Sequence, residues 1–175
     1  WQTPVDKDKV TLAYCEGKAA SNAPIAPAEN NYGIMVGSIY TPAMLKGRNG
    51  YEIKSVNFYP LNDATFTVLI YKDGVQINET EINDYELKQW NTVQLSEPIV
   101  IDSKSSYKLV IDCYDVTPKC PAMALDQNMP VQNYSDIYSL DGDSWNSVTG
   151  ASIYGNWMIG MNIENPNGVS LPAVG

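Results

Sequence analysis

Residues 51–81 read YEIKSVNFYPLNDATFTVLIYKDGVQINETE, and two runs of alternating character in this stretch restrict the fold more than any other feature of the chain. Apolar residues recur at Ile53, Val56 and Phe58 and again at Phe66, Val68 and Ile70, and Asp73-Gly74 stands between two β-rich runs. A two-residue type I′ turn needs positive φ at both central residues, and its twist matches that of the strands it joins, so Asp-Gly in this setting is a strong hairpin signal. The chain is therefore expected to be built from antiparallel strands.

Composition agrees with sheet. Twelve tyrosines, many threonines and valines and few runs of helix formers favour strands. A length of 175 residues fits one domain, and at that size about 70% of the unfolded surface can be buried. Eleven basic against 20 acidic residues give a net charge of -9, which opposes binding to nucleic acid or an anionic membrane surface, since both depend on Lys and Arg. No apolar run is long enough to cross a bilayer as a helix, and the chain starts at Trp1 without a signal peptide, as expected of a trimmed mature form or an excised domain.

Taken in order, residues 1–8 are polar and Pro-broken and read as a tether. A first strand is expected near 10–15, a long Gly, Ala, Asn and Pro loop over 16–31, and a second strand over 33–40. Thr41, Pro42 and Gly47 sit where a single helical turn places its N-cap, its first residue and its terminator. The hairpin-forming run follows, its first two strands joined through residues 60–63. Next comes a strand over 90–101 that Glu97-Pro98 interrupts; proline cannot donate to a ladder, so an edge or a bulge is expected there. A central strand is expected over 107–114 and shorter ones over 123–125, 134–140, 145–148 and 156–163, with 165–175 as a linker. Some ten strands and one helical turn within 9–164 form the pattern of an all-β, antiparallel two-sheet sandwich of jelly-roll type, with a closed barrel as the alternative.

The chain has no histidine. Ser-His-Asp and Cys-His catalysis lose their base, and zinc sites lose their commonest nitrogen ligand. Phosphate-binding Gly-rich loops are also missing. A glycosidase needs only two carboxylates, and Asp112, Asp115, Asp126, Asp141 and Asp143 are the available acids. Asp141 and Asp143 are candidate calcium ligands, although Asn146 and Ser152 occupy the positions where an EF-hand needs Gly and Glu; a tight turn between strands is the plainer reading. Cys113 and Cys120 flank a turn-like segment and are a candidate disulfide, worth about 2.5 kcal/mol by loop-closure entropy; separately buried thiols are the other reading, and Cys15 reads as core. Tyr134, Tyr138, Trp145 and Tyr154 are the candidate ligand-binding residues, because aromatic faces on a rigid sheet stack against sugars or peptide side chains. Trp90 and Trp157 lie in strand patterns and read as core.

Several segments in one order, LAYCEG, IYTPAMLKG followed by YEIKSVNFYP, WNTVQLSEPIVI, YKLVIDCYD, PAMALD, YSLDGDSW and GNWMIGMNIE, resemble a β-sandwich accessory domain of secreted and cell-surface Bacteroidetes proteins, where it accompanies peptidases, leucine-rich repeats or adhesin-like modules. The resemblance spans about residues 10–164. It implies a non-catalytic, exported binding or adhesion module held at the bacterial envelope, with a glycan or a protein as partner. It supplies no catalytic residue. Residues 138–145 correspond to the hairpin of the penultimate strands and Gly155-Asn156-Trp157 to the opening of the last strand. A small two-carboxylate glycoside hydrolase and a purely structural spacer are the competing expectations.

Overall fold

A computed structural model describes residues 8–15, 33–116 and 120–166; the tether expected at 1–8, apart from Asp8, the loop expected at 16–31 and most of the expected linker lie outside the described residues. Ten strands follow one another: β1 (Lys9–Ala13), β2 (Gly33–Tyr40), β3 (Glu52–Phe58), β4 (Thr65–Lys72), β5 (Val75–Glu81), β6 (Asn91–Val100), β7 (Tyr107–Tyr114), β8 (Ile137–Ser139), β9 (Asn146–Ser147) and β10 (Ile159–Glu164). They make two antiparallel sheets, one ordered β1-β10-β3-β6 and the other β5-β4-β7-β2-β8-β9. With the small β8–β9 hairpin set aside, the chain passes back and forth between the sheets in the strand order of a jelly roll. The fold is a two-sheet sandwich and not a closed barrel.

The Asp73-Gly74 turn forms as its chemistry requires, with φ of 48° and 85° at the two residues and Lys72 paired with Val75. The rest of the 51–81 run does not stay in one sheet: β3 and β4 lie on opposite sheets and face each other across the core. The segment 59–64 carries the chain over, and Phe58 meets Phe66 edge to face with centroids 5.4 Å apart. Inward-facing residues such as Tyr40, Phe58, Phe66, Tyr107, Leu109 and Ile111 are fully buried between the sheets. Burial of this kind, at about 25 cal/mol per Å² of apolar surface, is the main term holding the two sheets together.

β6 is both an edge strand and a bulged one. Against β3 its register jumps so that Ile53 pairs with Ile99 while Ser55 pairs with Gln94. The extra residues bring Ser96 against β5, where its N–H donates to Thr80 Oγ1 at 3.0 Å and its hydroxyl accepts from Asn78 Nδ2 at 3.3 Å. Side-chain hydrogen bonds thus join the two sheet edges on this side, and the bulge blunts an edge that would otherwise offer unpaired backbone groups.

The helical turn expected at 41–47 is present as a single hydrogen-bonded turn, and the expectations at 123–125 and 155–157 are corrected. At 41–47 there is a run of turns, with Leu45 N–H donating to Thr41 O at 3.2 Å and Arg48 N–H to Leu45 O at 2.9 Å; Gly47 at φ 81° ends it before a helix is established. The one helical element among the described residues is a 3-10 turn, Val148–Ala151, capped by the Ser147 side chain. Residues 123–125 contribute only isolated bridges, Pro60 to Met123 and Leu125 to Trp157. Gly155-Asn156-Trp157 precedes β10 instead of opening it, because it docks on residues 125–126: a Cβ at Gly155 would sit 2.4 Å from Asp126 O, so only glycine permits that approach.

Candidate functional site

Strand β7 alternates between two surfaces. Tyr107, Leu109, Ile111 and Cys113 enter the core, which leaves Lys108, Val110, Asp112 and Tyr114 on the outer face of the six-stranded sheet. Register then fixes what stands beside them. Leu69, Val110, Gly37 and Ile137 form one row straight across β4, β7, β2 and β8. Tyr71, Lys108 and Ile39 form the row on one side of it, and Thr67, Asp112, Met35 and Ser139 the row on the other.

Val110, Leu69 and Ile137 are buried although they point away from the core. Trp145, in the turn segment just before β9, covers this row in part: its Cζ3 lies 3.4 Å from the position a Cβ would take at Gly37, and Val110 Cγ2 lies 3.5 Å from the same point. A glycine in the middle of a central strand normally weakens it, and here it opens room for an indole to lie on the sheet. The Lys108 ammonium lies 4.2 Å from the centroid of the Trp145 ring and 4.6 Å from that of Tyr71, within cation–π distance of both. The result is a covered apolar row with the Trp145 ring over it and the Lys108 ammonium and Tyr71 ring beside it.

Asp112 and Glu79 add negative charge. Burial, and then the charge of Glu79, raises the Asp112 carboxyl above its ordinary value. Burial lowers the Lys108 ammonium. Tyr71 is raised by burial, then by Asp112 and Glu79. Aromatic faces, a half-buried ammonium and a half-buried carboxyl on a rigid sheet can stack against a ring and hydrogen-bond to hydroxyls.

Of the four aromatic residues expected to bind ligand, Trp145 lies on this face. Tyr138 does not, and this is a correction: it pairs with Val36, which enters the core, and packs against that core. Tyr134 and Tyr154 are exposed, but among the described residues neither makes a ring contact with Trp145. Tyr71, Lys108 and Gly37 were not singled out from sequence. The alternation of YKLVIDCY places Lys108 opposite the core, but only the pairing of β4, β7 and β2 brings Tyr71 and Gly37 to it.

Two of the acids available for a carboxylate pair, Asp126 and Asp141, are used separately. Asp126 is fully buried and accepts from the backbone and side chain of Asn156 and from Asn128 N–H. Asp141 closes its own turn: its Oδ1 accepts from Asp143 N–H and Ser144 N–H, both at 2.8 Å, and from the Ser139 hydroxyl at 3.1 Å. These bonds, the backbone ones first, hold the Asp141 carboxyl below its usual range. Gly142, at φ 85°, completes a tight turn. Among the described residues no group of three or more acidic, Cys or His side chains is arranged to hold a metal ion.

Cys113 and Cys120 are separate thiols, so the candidate disulfide is not formed in this structure. The reason is the strand alternation. Cys113 points into the core, with its Sγ 3.7 Å from Ile111 O, whereas Cys120 is half-buried on the segment beyond β7.

Compared with protein-family models, curated proteins and solved structures, the chain matches none. What the structure defines is the class: a jelly-roll sandwich with an aromatic, charged outer face.

Proposed function

We propose that the chain is a non-catalytic binding module and that the outer face of its six-stranded sheet takes a glycan. The observation that carries this reading is the Trp145 indole laid over Gly37, with Lys108 held against it and against Tyr71. Sugar rings present an apolar C–H face to aromatic rings and hydroxyls to charged groups; Lys108 and Tyr71 are fixed on strands here, and Trp145 is held against the sheet from the residue before β9. The ordered segments that resemble envelope accessory domains support a place at a bacterial cell surface, with the module adhering to carbohydrate there. Fold alone supplies no function, since jelly rolls host many.

The test is a titration of the chain with neutral oligosaccharides, followed through its tryptophan indole N–H resonances. Movement of Trp145 together with the amides of Lys108 and Gly37, lost in Lys108→Met, supports the reading. Movement of none of them by any oligosaccharide overturns it.

A second reading, a two-carboxylate hydrolase, is favoured by one observation: the raised Asp112 carboxyl with the Glu79 charge acting on it. Release of reducing sugar that is abolished in Asp112→Asn would establish that reading in place of the first.

A further inference from the structure

The connection between β5 and β6 carries a second open aromatic surface. Asp84, Tyr85, Glu86, Gln89, Trp90 and Asn91 line a groove of about 550 Å³. Trp90 reads as a core residue in the sequence, yet it is 46% exposed. It stands edge to face against Tyr59, with centroids 5.7 Å apart and planes at 85°.

The groove is held in shape by its own hydrogen bonds. Asn91 accepts from Glu86 N–H at 2.8 Å and donates through Nδ2 to Glu86 O at 2.8 Å and Gln89 O at 3.0 Å. The Tyr59 hydroxyl donates to Lys88 O at 2.7 Å, and the Tyr85 hydroxyl to Asp63 Oδ1 at 3.0 Å. A site already ordered loses less entropy on binding than one that must be ordered by its ligand.

The charge of the groove selects the ligand. Its two charged lining residues, Asp84 and Glu86, are both acidic, and neither is in a salt bridge among the described residues. The whole chain carries a net charge of -9. The Glu86 carboxylate meets the neutral Gln89 side-chain amide, which donates to it, so the charges of Asp84 and Glu86 are not compensated by a cation in a salt bridge; a neutral sugar would use the indole alone, whereas a cation uses both, stacking on the ring while the acids neutralise it. We infer that this groove is a second binding site, separate from the Trp145 face, and that it takes the Lys or Arg side chain of a protein partner.

The test uses the capped peptides acetyl-Gly-Lys-Gly-amide and acetyl-Gly-Arg-Gly-amide, with norleucine in place of the cation as control, read from the Trp90 indole N–H resonance. The cationic peptides are expected to shift that resonance and saturate in the low millimolar range, weakening by about fivefold in molar salt. Trp90→Ala loses the response of the neighbouring amides. The double change Asp84→Asn, Glu86→Gln weakens binding about tenfold and keeps the proposal testable should Trp90→Ala perturb the loop. Trp145→Ala leaves it unchanged, so this site and the sheet face are judged independently. A silent Trp90 resonance, equal binding of the norleucine peptide, or a Trp90 response to neutral oligosaccharide instead would overturn the inference.

Discussion

Asn156 grips the Asp126 carboxylate with its backbone and its side chain together: its N–H lies 2.9 Å from Oδ1, and its Nδ2 lies 3.1 and 3.2 Å from the two oxygens. Both residues are buried, and Asp126 N–H donates back to Asn156 O at 2.9 Å. This clamp ties the segment before β8 to the approach to β10, an interior strand of its sheet. Asp126→Ala leaves buried amide donors without their acceptor and is expected to cost about 2–4 kcal/mol. Urea unfolding measures it, and a loss below about 1 kcal/mol would contradict the role given to the clamp.

Gly37 is the seat of Trp145. A Cβ there would stand 3.0 Å from Leu109 O and 3.4 Å from Trp145 Cζ3, so Gly37→Ala must push on the β2–β7 ladder or lift the indole. We expect a modest loss of stability, about 1 kcal/mol, together with increased exposure of Trp145, seen as faster fluorescence quenching. Unchanged quenching would mean that the indole does not rest on the sheet.

Acid should destabilise the fold through its turns. Backbone hydrogen bonds lower the carboxyls of Asp73 (from Ser106), Asp102 (from Lys104) and Asp141 (from Ser144 and Asp143) below their ordinary values. A carboxyl lowered by folding stabilises the native state above its unfolded pKa, and that contribution disappears as pH falls through the folded value. Asp112, raised by burial, has the opposite sign: its protonated form favours the fold, and that advantage is lost as pH rises through its folded value. With three lowered groups against one raised, the melting temperature is expected to fall as pH drops from roughly 5 to below roughly 3. Asp73→Asn should flatten the dependence in thermal melts across that range; an unaltered profile would contradict the assignment.

Calcium should have little to hold. Asp141 Oδ1 already accepts three hydrogen bonds within its own turn, and Asp143 brings only one further acid. A ligand that binds only the folded form raises the melting temperature, so melts in millimolar calcium and in chelator are expected to coincide. A rise of several degrees with calcium would restore Asp141 and Asp143 as ligands.

Local chemistry was legible in the sequence where a short pattern suffices. The Asp73-Gly74 turn formed, and β2 and β7 have the bounds that alternation implied. Pro98 implied an edge or a bulge, since its missing N–H acts within one strand, and β6 has both. The crossing of β3 and β4 to opposite sheets was not legible, because residues 60–63 carry the same turn chemistry whether the next strand pairs or crosses. The place of Trp145 beyond an acidic turn is legible in the sequence; its seat over Gly37 on the outer sheet face is not, because strand pairing sets it. Tyr138, the middle residue of β8, turns to the core side, and β8 is only three residues long, so its alternation is too short to show which face is core. Trp90 failed in the other direction: its strand-like context hid a loop position, and only the burial of its neighbours separates the two.

The most direct test of the account is a glycan array probed with the isolated chain beside Trp145→Ala and Trp90→Ala. Binding to a defined set of glycans is expected, lost in Trp145→Ala and retained in Trp90→Ala. A blank array, or binding that survives Trp145→Ala, would contradict it and would make the outer sheet face a packed surface with no carbohydrate role.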